Sequence, residues 1–78
     1  MNITIEEFIK HLENRGYEKT FDDEIAAHFI NRASYEEKQY RFYNTIPHLT
    51  IVTEEGEYLY QGKIESLEQF DLIDRLTS

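Results

Sequence analysis

A chain of 78 residues without a single cysteine cannot be stapled, and must hold itself together with one core of packed side chains. At this length folding buries only about 60–65 % of the surface that the unfolded chain exposes, so that core has to be dense. Five phenylalanines (Phe8, Phe21, Phe29, Phe42, Phe70) and six tyrosines (Tyr17, Tyr35, Tyr40, Tyr43, Tyr58, Tyr60) supply the material. Each can bury ~150–250 Å². No Pro/Gly/Ser-rich linker, low-complexity tract or repeat divides the chain, and residues 1–78 read as a single domain.

The first helix is signalled by its ends. Thr4 and Glu7 have the spacing of a capping box, and Ile3 and Phe8 that of a hydrophobic staple. Ile5, Phe8, Ile9 and Leu12 recur on one helical stripe, and Gly16 follows Arg15 as a left-handed stop. The spacing predicts a helix over 5–15. A second helix is expected over 22–33. Asp22, Asp23 and Glu24 suit the positive end of its dipole, and Ile25, Ala26, Phe29, Ile30 and Ala33 fall on one arc.

Residues 34–45 point two ways. Ser34 and Glu37 offer another capping box, while Tyr40-Arg41-Phe42-Tyr43 has strand propensity. A helical start that gives way to extended chain before Ile46-Pro47 is a compromise between them; the balance favours helix. A hairpin comes next, with 49–53 and 57–61 flanking Glu54-Glu55-Gly56. With a three-residue loop, Ile51 faces Leu59 and Val52 faces Tyr58, which places Tyr58 and Tyr60 on one strand face. Ser66 and Gln69 open a last helix to about Leu76, expected to bury Phe70, Leu72, Ile73 and Leu76. The expected fold is a small α+β domain, helices packed on a two- or three-stranded antiparallel sheet in the order α-α-(α or β)-β-β-α.

That order is similar to the plan of a winged helix-turn-helix domain: two helices, a short third from Tyr35, then a hairpin with Glu54-Glu55-Gly56 as the wing tip. The resemblance implies a DNA-binding regulator with Lys38 and Arg41 against phosphate. Glu36 and Glu37 leave that recognition helix without net positive charge, and the wing is acidic, so protein binding suits the chain better.

Sixteen Asp and Glu against eight Lys and Arg give a formal charge of −8. Such a charge repels phosphate backbones and anionic membranes and favours a protein partner with a basic surface. The acidic start Met-Asn-Ile-Thr-Ile-Glu-Glu lacks the features of a signal peptide, and no apolar run approaches a membrane span. The chain therefore reads as a soluble cytoplasmic protein. His11 shares a helix face with Glu7, but nothing completes a metal site. Three glycines exclude phosphate loops, and two of the three serines read as helix caps, so no cofactor, metal or catalytic residue is assigned and an enzyme is not expected. A hydrolase would have to depend on His28 or His48.

The expected function is that of a non-enzymatic regulator or inhibitor. Between residues 45 and 62 there is no Lys or Arg, which makes the hairpin the most negative element for its length. Glu54, Glu55, Glu57, Tyr58 and Tyr60 are its candidate contact residues, with Arg41 and Tyr43 as neighbours. The acids would steer a basic partner and the rings would hold it. A DNA-mimicking inhibitor is the alternative. A homodimer that hides a half-covered sheet is a further expectation.

Overall fold

From Lys38 to Tyr43 burial alternates with every residue: Lys38, Tyr40 and Phe42 inward, Gln39, Arg41 and Tyr43 outward. That is the two-residue period of a strand. A computed structural model describes residues 3–32, 37–45 and 47–77. The order is α1 (Ile5–Asn14), β1 (Glu18–Asp22), β2 (Ala26–Asn31), β3 (Lys38–Tyr43), β4 (His48–Thr53), β5 (Tyr58–Lys63) and α2 (Leu67–Leu76). The strands form one antiparallel sheet in chain order, β1-β2-β3-β4-β5.

The expectation of two or three strands behind two or three helices is overturned. The described residues of the predicted helix over 22–33 are the end of β1, a turn and β2; residues 34–45, which point two ways in the sequence, contain β3. Ser34 of the expected capping box lies outside the described residues. The winged-helix plan falls with these helices, since Lys38 and Arg41 of its recognition helix are strand residues.

The acidic triplet misled for a physical reason. Asp23 Oδ1 accepts the backbone N–H groups of Ile25 and Ala26, both at 2.9 Å, and Asp23 N–H donates to Ala26 O. A helix N-cap uses the same side chain at the same offsets, so the local chemistry of a helix start and of this hairpin turn is the same. The hydrophobic period of the next six residues would normally separate the two, but β2 is apolar on both sides. Ala27 and Phe29 face the core while Ala26 and Ile30 face away, which hides the two-residue period.

The helices lie against one face of the sheet. Ala27, Phe29, Tyr40, Phe42, Leu49 and Ile51 meet Ile3, Phe8, Leu12, Ile64 and Phe70 in a single core. Phe8 is its centre: its ring stacks on Phe42 at 4.5 Å and meets Phe29 and Phe70 edge-on at 5.9 and 5.4 Å. Each such ring pair is worth about 0.5–1.5 kcal/mol beyond the buried area.

The predicted ends of α1 are observed. Thr4 and Glu7 close the capping box, and Gly16, at φ +85°, ends the helix as Gly16 N–H donates to Glu13 O and Tyr17 N–H to Leu12 O. Helix α2 begins where expected but buries a different face. Phe70 is sealed and Ile73 half-buried, whereas Leu72 and Leu76 are exposed and Asp74 is buried in their place. Both edge strands carry a bulge, with Thr20 the extra residue of β1 and Leu59 that of β5.

Candidate binding face

The strand register fixes what lies on the side away from the helices, where Ala26, Thr50 and Val52 are buried and the residues around them are half-buried or exposed. One cross-strand row runs Phe21–His28–Arg41–Thr50–Gln61, and a second Glu18–Ile30–Gln39–Val52–Tyr58. A shorter row holds Ala26, Tyr43, His48 and Lys63. Phe21 is 47 % exposed, Tyr43 38 % and Tyr58 56 %. The His28 ring lies between the first two, 5.1 Å from Phe21 and 6.2 Å from Tyr43. An aromatic band therefore crosses β1, β2 and β3, and Tyr58 stands apart on β5.

The seven sequence-predicted contact residues are divided by this geometry. The hairpin has the expected three-residue loop: Thr53 N–H donates to Glu57 O, Gly56 sits at φ +91°, and Val52 faces Tyr58. Glu54, Glu55 and Glu57 are exposed at this turn. Beyond Tyr58, however, the Leu59 bulge moves the register by one, so Ile51 faces Tyr60 instead of Leu59. Tyr58 thus lies on the open face and Tyr60 on the helix face, half-buried against the core, its hydroxyl donating to Lys63 O at 2.7 Å.

Arg41 and Tyr43 are on the open face, but Tyr43 pairs with His48 at the far end of β4 from Glu54. The structure brings Tyr58, Arg41 and Tyr43 onto one surface, with the three glutamates at one end of it and Tyr60 behind it. Phe21, His28 and Ile30 belong to the same surface; His28 and Ile30 were missed because they fall in the expected helix over 22–33, and Phe21, just before it, was assigned to no element. The signal that could have found them is the alternation of Tyr40 and Phe42 with Arg41 and Tyr43 in the neighbouring strand.

A second cluster of titratable groups ties α2 to the sheet. Asp74 accepts the hydroxyls of Tyr17 at 2.5 Å and Tyr40 at 2.6 Å, with Lys38 Nζ at 3.6 Å and Arg15 Nη2 at 3.3 Å. Asp71 receives Arg15 and His11, the latter at 2.8 Å, in place of the expected His11–Glu7 pair. Burial first, and then Asp74, raise the pKa values of both phenols. Asp74 and Lys38 are each only 3 % exposed, so the centre of this cluster has the character of a structural latch, with Arg15 and Asp71 in contact with solvent at its edge. A groove of about 460 Å³ between the helix N-termini carries Glu7, Glu65 and Glu68, but no unsatisfied buried side-chain atom among the described residues points into it. Among the described residues no group of three or more His, Asp or Glu could hold a metal ion, and no helix is long and apolar enough to cross a membrane.

Charge is arranged by position. The turn after β1 holds Asp23 and Glu24 next to Asp22, and Asn44 Nδ2 donates to Glu24 O at that end of the sheet. At the other end Glu37 and Glu54 meet through a backbone hydrogen bond, with Glu55 and Glu57 beside them. Between these acidic ends, the open face carries Arg41, Lys63, His28 and His48 against Glu18. Burial, and next the Arg41 charge, hold the His28 pKa below its usual value, partly opposed by Asp23. Comparison with family models, curated proteins and solved structures returned no match.

Proposed function

We propose that this protein is a non-enzymatic binding module, a regulator or inhibitor that docks a protein partner on the uncovered face of its sheet. The observation that supports this reading most is the exposure of three large rings, Phe21, Tyr43 and Tyr58, on the face opposite both helices. Aromatic side chains left in water at such a density favour contact with another surface. The acidic turns at both ends of the sheet favour a partner whose apolar centre is flanked by Lys and Arg, attracted by the turns and retained by the rings.

The formal charge of −8 disfavours a second copy as the occupant, since two such chains repel one another. A nucleic acid would meet negative charge at both ends of the face. DNA mimicry gains no support here either, since Glu18 is the one carboxylate among the described strand residues of this face.

The test is capture of partners from the native host by the intact protein and by the double variant Phe21→Ala/Tyr58→Ala, with Leu76→Ala as a control on the helix side. A partner retained by wild type and control, lost from the double variant and weakened by salt supports the reading. Equal retention by all three proteins, or self-association as the only outcome, refutes it.

A further inference from the structure

Arg41 differs from the other basic residues that meet no described carboxylate, Lys10, Lys63 and Arg75, in being partly withdrawn from solvent where those three are exposed. Among the described residues Arg15 pairs with Asp71 and Asp74, Lys19 with Asp22, Arg32 with Glu18 and Lys38 with Asp74. Arg41 is half-buried in the middle of the open face and meets no carboxylate among them, in a chain that has sixteen to offer. Its Nη2 donates to Gln39 Oε1 at 3.1 Å, which braces the guanidinium along β3. A guanidinium carries five N–H donors in a fixed fork, and Gln39 takes one of them. Withdrawing such a group from water without an anion is unfavourable, and that cost is removed when an anion arrives.

The surroundings restrict which anion fits. His28 stands opposite Arg41 on β2 and Thr50 opposite it on β4, with Tyr43 next along β3 on the same face. These neighbours are aromatic or neutral, and the lowered pKa of His28 keeps that ring uncharged near neutral pH. A polyphosphate chain crossing the face would run into the acidic turns. A lone carboxylate set among apolar groups would not.

We infer that Arg41, braced by Gln39, receives a carboxylate side chain that the partner presents within an otherwise apolar contact. This rests on the sheet face being the binding surface, and adds to it a single polar anchor at the centre. The partner surface then has three zones: an acidic residue in the middle, apolar side chains around it, and basic residues outside.

The test uses the full chain, isotope-labelled for NMR, and the probes N-acetylphenylalanine, its uncharged amide, and a short oligothymidylate. The acid is expected to shift the β2 and β3 amides around Arg41 and to bind about tenfold more tightly than the amide. Arg41→Gln should remove that preference with the spectrum otherwise folded, and Arg41→Lys should lose most of it because the fork is gone. Equal binding of acid and amide on the sheet face would overturn the role of Arg41 and leave the face standing as a docking surface. Binding of neither, or binding elsewhere, would overturn both. Tighter, Arg41-dependent binding of the oligothymidylate would replace the carboxylate with a nucleic acid.

Discussion

Tyr58 and Tyr60 are two residues apart on one strand and yet serve opposite sides of the molecule, because Leu59 is inserted between their registers. Their variants should behave differently. Tyr58→Ala removes an exposed ring and should change stability by no more than about 0.5 kcal/mol in a denaturant titration. Tyr60→Phe deletes a hydroxyl donated to Lys63 O and should cost about 0.5–1.5 kcal/mol. Asp74 is the more demanding position. Asp74→Ala would leave the Tyr40 hydroxyl and the Lys38 ammonium buried without their carboxylate, with Lys38 keeping Thr77 O at 3.4 Å, and a loss of about 3–5 kcal/mol is expected by thermal melting. His28 adds a dependence on pH. Its folded pKa lies below the unfolded value of roughly 6.5, so the unfolded chain binds more protons at acid pH. The contribution is complete above that value and is lost as pH falls through it towards the folded pKa. Melting temperatures across this range should decline less steeply in His28→Gln than in wild type.

Among the elements, α1 was legible in full, since its capping box, staple and terminal glycine all act within a few residues of one another. Gly16→Ala should cost about 1 kcal/mol in a melt, because φ +85° is strained for any residue with a Cβ. The β4–β5 loop was legible for the same local reason, but the bulge beside it was not, as nothing in Tyr58-Leu59-Tyr60 marks which residue is extra. The start of α2 was read from Ser66, whose hydroxyl accepts Gln69 N–H. Its buried face was not. Asp74 turns inward only because Tyr17, Tyr40 and Lys38 wait there from distant parts of the chain, and a helical stripe of Leu72 and Leu76 gives no hint of that. Strand β2 defeated sequence reasoning because its outer side is apolar as well as its inner side. The candidate site was hidden with it: Tyr58, Arg41 and Tyr43 could be named, but the surface that unites them needs β2 as a strand.

On the scale of the whole molecule, every strand neighbours its successor, so the sheet can close hairpin by hairpin over short loops. The helices do the opposite. His11 and Arg15 of the first helical region reach Asp71 and Asp74 of the last, and Phe8 meets Phe70 in the core. The polypeptide is thereby fastened head to tail, like a belt with its buckle on the side away from the open sheet. A protease that clipped the link after Lys63 would release far more than one helix: it would bare the Phe8 and Tyr40 rings, strip Arg15 and Lys38 of their counter-ions, and loosen the opposite terminus as well. Tags and fusions at either end are accordingly best joined through slack linkers that leave this clasp shut.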